Sequence, residues 1–412
     1  MSKTSLALQN LRGFAILNVL AFHSIIAYIV SQPSGPVPFD EPPYGWTAHP
    51  IVDSNRWLGF DLICAFEFLC LMQVMFFLSG LFVWPSLERK GTRTFALDRL
   101  LRVGVPFVLG VSLLSPLAYY PVYRVTAADP SWSAFWAHWT ALPFWPGGPL
   151  WFLWFLFALN LIAIALFWLA PRTGELLGRL ARKGASDPRG FFLGLVIVSA
   201  IAYLPVASLF TPWEWVEFGP FGFQPGPAAQ YIVFFFAGLG VGAYGFERGL
   251  LAADGMLVRH WGWWLGAMFV AFVIWVVPTG LVVNGEGAWI PVLRIVAHLG
   301  AVLFAAGACF GLAATFLRFG TRHLPVLDGV SENAYGIYLF HYVVVLWTQY
   351  LLLDISLPAI VKGLIVFSVT VALSWAAAAG LARIPVVGRI IGPARRRKPQ
   401  PSKPKLKPLS DY

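Results

Sequence analysis

The sequence is poor in charge. Only 12% of its 412 residues are Asp, Glu, Lys or Arg, about half the share usual in a soluble globular chain. Such a chain cannot cover its own surface with polar groups, which excludes a soluble enzyme or soluble binding module. Cysteine is scarce too: Cys64, Cys70 and Cys309 each fall inside an apolar run, so no disulfide framework or cysteine metal motif follows. There are seven histidines, and His49, His138, His260 and His323 sit in loops or at helix ends without metal-ligand spacing. No internal repeat is visible and no large polar insertion interrupts the chain. Acidic residues number 19 against 29 basic ones, a net charge of +10. Nucleic acid, anionic lipid or a topology signal would each account for that excess.

Apolar residues dominate what is present, at 58%, with 35 Phe and 19 Trp. Runs of about 18 or more apolar residues mark spanning helices. Ten are expected, at about 9–31, 59–84, 98–121, 150–170, 190–210, 228–246, 260–282, 290–317, 333–353 and 359–382. The first resembles a signal peptide in position, but Arg12 and His23 interrupt it and no convincing cleavage site follows, so it is read as a span. The positive charges then sort by side. With the N-terminus inside, every lysine and arginine except Arg56, Arg124, Arg294 and Lys362 lies on the cytoplasmic half. The positive-inside rule therefore predicts an even number of spans with both termini cytoplasmic. The fold expected is an all-α integral membrane bundle over residues 1–390, with a basic Pro/Lys-rich disordered tail over 391–412. That tail reads as a solvated stop anchor near anionic lipid headgroups, and nothing folded supports nucleic-acid binding.

Ionisable groups inside spans are costly and mark candidate sites. Arg12 and His23, eleven residues apart, lie within ~20° of one helix face and ~16 Å apart along the axis. Arg12 is then near the cytoplasmic edge, as a site residue or a snorkelling anchor, and His23 in the outer half. Glu67 on the second span lies ~12 Å from the outer edge, matching His23 in depth, and a His–Glu pair would satisfy both groups and orient a general base. Arg294 and His298 share a helix face, either as a structural pair bridging to Glu67 or Asp61 or as acceptor recognition. Arg99 and Arg102, three residues apart at the cytoplasmic edge, suit phosphate recognition and topology anchoring equally. His341 sits near mid-membrane, where a packed core histidine is the plainer reading. Trp151 belongs with Trp132, Trp136, Trp139 and Trp145 near the outer side, where interfacial belting and stacking against sugar rings both apply. A polytopic exporter of a glycan or small anionic solute also fits intramembrane charges, but no inverted repeat or paired Gly/Pro-broken helices accompany them.

The segments Leu11-Arg12-Gly13-Phe14-Ala15 to Phe22-His23, Met72 to Ser79-Gly80, Asp98-Arg99-Leu100-Leu101-Arg102 to Pro106, Leu150-Trp151, Glu332 to Tyr338 and His341, and Arg383-Ile384-Pro385 follow one another in the order seen in a known family. On these residues the chain resembles the acyltransferase 3 family of integral-membrane acyltransferases, within it the branch associated with succinyl modification of periplasmic glucans. The resemblance implies a multi-pass protein of the bacterial inner membrane. It also implies a cytoplasmic acyl-CoA co-substrate, no bound cofactor, and an extracytoplasmic or lipid-linked carbohydrate acceptor. It carries over onto His23 as the catalytic residue and onto Arg12, Arg99 and Arg102 as donor-site residues, with Tyr338 and His341 among the substrate-binding candidates. Pro149 departs from the pattern, since many relatives carry His there, and the hydrolase-like domain fused to some relatives does not accompany this sequence.

Overall fold

The computed structural model describes residues 2–211, 213–285 and 287–390; the basic tail expected from 391 onward lies outside them. The first helix, α1 (Lys3–Ile25), is followed by a long outer loop, then α2 (Leu58–Gly80) and the short α3 (Val83–Lys90). Next come α4 (Thr92–Arg99), α5 (Val105–Leu109) and α6 (Ser115–Thr126), fused into one rod by two π-turns, Leu100–Gly104 and Gly110–Leu114. Then follow α7 (Trp132–Ala141), α8 (Trp151–Leu169), α9 (Arg172–Ser186) and α10 (Pro188–Ala207). An antiparallel hairpin of β1 (Val216–Phe218) and β2 (Phe221–Phe223) precedes α11 (Pro225–Tyr244) and the one-turn α12 (Met256–Arg259). The last five are α13 (Trp261–Asn284), α14 (Ile290–Phe319), α15 (Pro325–Leu351), α16 (Ala359–Leu381) and α17 (Pro385–Ile390).

Helix starts are written in the sequence. The Ser2 hydroxyl accepts from the Ser5 N–H at the head of α1, and the Asp187 carboxylate accepts from Gly190 N–H ahead of Pro188 at the head of α10. Among the described residues nine helical stretches are long and apolar enough to cross a membrane. They match nine of the ten spans expected. The tenth, α15, has 27 residues, about 40 Å at 1.5 Å per residue, so it reaches across as well. Its Ser331, Asn333, Tyr335, Tyr338, His341, Tyr342 and Gln349 make it too polar to stand with the other nine.

Cross-links fix the directions. Gln9 donates to Asp328 (3.3 Å) at one end of the α1–α15 pair, and Gln349 donates to the His23 carbonyl (2.8 Å) at the other, so these two helices run parallel. Trp375 of α16 lies over Gly329 of α15, while Lys362 at the opposite end of α16 reaches the Leu353 carbonyl, so α16 runs back. The start of α1 and the end of α16 therefore share one end of the bundle, as an even number of crossings requires. The positive-inside rule makes that end cytoplasmic.

Helix contact is close where side chains are small. Gly238 and Gly242 of α11 pack on the α2 backbone so tightly that a Cβ at either would fall 2.1 Å from the Phe77 carbonyl oxygen or 2.0 Å from that of Leu81. Gly238→Ala and Gly242→Ala are each expected to cost about 1–3 kcal/mol by overpacking. Gly194→Ala, which meets nothing within 4 Å, should be neutral in the same thermal melts in detergent. Midpoints unchanged at 238 and 242 would contradict this packing.

The outer end is capped by aromatic rings and one buried ion pair. Trp46 stacks on Phe39 at 4.4 Å and meets Tyr119 edge-on, and Tyr119 continues to Trp139. Lys362, assigned by sequence to the outer charges, is completely buried and pairs with the equally buried Asp53 at 2.7 Å. That bond straps the loop between α1 and α2 onto α16.

Candidate active site

The site is built on one face of α15. Ser331, Tyr335, Tyr338, and the pair His341 and Tyr342 follow at steps of three or four residues, so they climb one side of the helix. From Ser331 to His341 the rise is ~15 Å. Because α1 runs parallel to α15, Arg12 meets the lower end of this ladder and His23 the upper.

At the lower end, Arg12 donates to the Ser331 carbonyl (3.0 Å), and the Ser331 hydroxyl donates onward to the Gln9 carbonyl (2.9 Å). Gly13 allows the approach, since a Cβ there would lie 2.9 Å from the Leu327 carbonyl oxygen. Arg102 lies in the first π-turn and within electrostatic reach of Tyr335, one turn above Ser331. Arg99 stands beside Arg102 with its guanidinium over the Phe95 ring at 4.6 Å, its Nε buried without a hydrogen-bond acceptor among the described residues. Arg12 and Arg102 thus approach neighbouring turns of α15, with Arg99 beside Arg102.

At the upper end, the His23 ring lies 5.2 Å from the His341 ring and 5.2 Å from that of Tyr342. The Gln349 amide donates to the carbonyls of His23 and Ser24, satisfying acceptors that the end of α1 leaves open. His341 is fully buried and its Nδ1 lies 2.6 Å from the Tyr338 carbonyl. A carbonyl only accepts, so Nδ1 carries the proton and Nε2 is left as an acceptor. Nε2 has no hydrogen-bond partner among the described residues. Tyr338 in turn donates its hydroxyl to the Pro149 carbonyl. Tyr342 shares a hydrogen bond with Tyr119, and the Tyr119 hydroxyl sits over Gly148, whose φ of +51° and lack of a Cβ make room for it. A small cleft lined by Ser115, Gly147, Pro149, Tyr338, His341 and Tyr342 opens between α6, the Gly148 turn and α15.

The π-turns serve this geometry. Their wider winding frees carbonyls from the helical ladder, and Val111 in the second accepts from the Trp145 indole at 2.8 Å. That bond ties the outer Trp-rich segment to the second π-turn.

Several expected contacts do not form. Glu67 is buried, but no hydrogen bond or ion pair joins it to His23, and its Oε2 has no partner among the described residues. Glu67 lies nine residues into α2, deeper than His23 near the end of α1, and sits near Cys70, itself close to Cys309 of α14. The bridge from the Arg294–His298 face to Glu67 or Asp61 is likewise absent. His298 Nδ1 meets the Tyr203 hydroxyl at 3.2 Å on α10, Arg294 is exposed, and Asp61 accepts from the Val30 and Ser31 backbone N–H groups. Trp151 packs against Tyr231 at 5.5 Å in the seam between α8 and α11. Tyr342 and Tyr119 were missed by sequence reasoning, although Tyr342 was recoverable as the neighbour of His341 on the polar face of α15.

No curated protein and no solved structure matches the chain. The family model described as an acyltransferase domain, that of the acyltransferase 3 proteins, matches residues 5–379, a span that contains every helix bearing on the two histidines and three arginines. The chain is a multi-pass membrane protein and belongs to the acyltransferase 3 family.

Proposed function

We propose that this membrane acyltransferase moves an acetyl or succinyl group from cytoplasmic acyl-CoA to a hydroxyl of an extracytoplasmic or lipid-linked glycan, with His23 as general base. The observation that carries the reading is the α15 ladder, with cations at its inner end and two histidines ~15 Å above. A long donor with phosphates at one end and a thioester at the other matches that polarity. Arg12, Arg99 and Arg102 would hold the phosphates through charge-assisted hydrogen bonds.

The acceptor hydroxyl loses its proton to His23 as its oxygen attacks the thioester carbonyl. The C–S bond then breaks, the acyl group stays on the acceptor oxygen, and the proton passes to the departing thiolate. His341 and Tyr342, in contact with the His23 ring, would orient it in the role first considered for Glu67. A covalent acyl-histidine on His23 is the principal variant of the mechanism. The family match supports group transfer over the exporter alternative. Likeness of the motifs to glucans biosynthesis protein C supports a glucan acceptor and a succinyl donor.

The test is transfer of labelled acetyl or succinyl from the CoA thioester to a glucan pool by the purified full-length protein. Arg99→Ala and Arg102→Ala are each expected to raise the donor KM about tenfold or more with a smaller change in kcat. A donor KM equal to wild type in both would return these arginines to topology anchors.

A further inference from the structure

The outer hairpin has two unlike faces. Along β1 side chains alternate, and Val216 pairs with Phe223, Glu217 with Gly222 and Phe218 with Phe221. Phe218, Phe221 and Phe223 all lie against Trp154, and Phe221 also stacks on Phe107, so this face sits on the bundle. Two backbone ties hold the hairpin in place: Trp145 N–H donates to the Gly219 carbonyl and the Trp154 indole to that of Gly222, both at 3.0 Å.

The opposite face carries Trp215 and Glu217. Trp215 meets Trp151 edge-on at 6.2 Å. Glu217 lies across Gly222, whose missing side chain leaves it room. No hydrogen bond or ion pair engages the Glu217 carboxylate among the described residues, yet it is half-buried and within electrostatic reach of Tyr119. Tyr119 is bonded to Tyr342, and Tyr342 touches His23. An unengaged carboxylate thus stands two side chains from the proposed base, on the outer side from which an extracytoplasmic acceptor arrives. Burial raises its pKa to about 6, as for a carboxylate that lacks a cationic partner.

We propose that Glu217, with the aromatic face of Trp215 beside it, forms the acceptor subsite and selects a neutral sugar. The assignment rests on the acyl-transfer reading above and deepens it. A carboxylate offers only acceptor positions, which suits the donor hydroxyls of a sugar ring, while aromatic faces take up the ring's C–H surface. An acidic sugar would be repelled by the same group. Glu217 is a positioning residue here: it holds the acceptor so that one hydroxyl reaches His23.

The test uses the full-length protein in detergent, succinyl-CoA or acetyl-CoA as donor, and a neutral glucose oligosaccharide as acceptor. Glu217→Gln is expected to raise the acceptor KM about tenfold or more, since a hydrogen bond to a charged group is lost. Donor KM, kcat and the melting midpoint should stay close to wild type, and Glu217→Asp should restore part of the affinity. Glu214→Gln, on the same loop and bonded to Thr211 N–H, should leave all four unchanged. An acceptor KM unchanged in Glu217→Gln, with transfer intact, overturns the subsite and leaves the acyl-transfer reading standing. Failure of the wild-type protein to acylate any neutral oligosaccharide with either donor overturns both.

Discussion

Replacing His23 with alanine is expected to lower acyl transfer by about 10²- to 10⁴-fold, the usual contribution of a positioned general base. Donor affinity should hardly change. The reason is distance: Arg12 lies eleven residues earlier on the same helix, ~16 Å away along its axis, and makes its own bond to the Ser331 carbonyl. Removing the imidazole leaves that contact and the Arg99–Arg102 pair intact. The loss should therefore appear in kcat with labelled acyl-CoA, while the donor KM and the stabilisation of the protein by coenzyme A persist. Transfer at the wild-type rate in the alanine variant would end the general-base assignment. A variant that no longer binds donor would point to a folding defect at the α1–α15 seam instead.

The second large effect concerns stability. Lys362→Met leaves Asp53 charged, 1% exposed, and without the 2.7 Å partner it has in the intact protein. Breaking one side of such a buried pair costs about 3–5 kcal/mol, because the remaining charge is stranded. Asp53 retains bonds from the Asn55 N–H and side-chain amide, which places the expected cost toward the lower figure. The double variant Lys362→Met with Asp53→Leu should recover most of the loss, since apolar replacement of both partners removes the stranded charge. Thermal melts in detergent and the rate of protease cleavage between residues 30 and 57 report the two quantities. Equal melting of the single variant and the wild type would mean that the strap carries no stability.

These residues also show how much was legible in sequence. Spacing along one helix was, because rise per residue is constant: Arg12 and His23, eleven residues apart on α1, meet Ser331 and His341 ten residues apart on α15. Rotation about the helix axis between partners was not. Glu67 makes no bond to His23, and His298 found Tyr203 on α10, a contact that no spacing within α14 encodes. Where two candidates shared a helix, as Arg12 and His23 do, the face was legible; where they lay on different helices, only packing decided it. Lys362 was placed on the correct side of the membrane, yet its burial depends on Asp53, which lies 309 residues away in sequence. The family-like segments bridged part of this gap, since they drew attention to α15 as well as α1.

The close fit of α1 against α15, with Gly13 under the Leu327 carbonyl and Gln349 over the end of α1, sets a schedule for how the enzyme comes into being. Among the described helices α1 leaves the ribosome first and α15 after fourteen others. At roughly 5–20 residues per second, His23 waits on the order of tens of seconds in the membrane before His341 and Tyr342 exist. During that interval the bundle has a polar seam with one wall. The proposed site is whole only once α15 has been made, so a chain halted before α15 carries one wall of it.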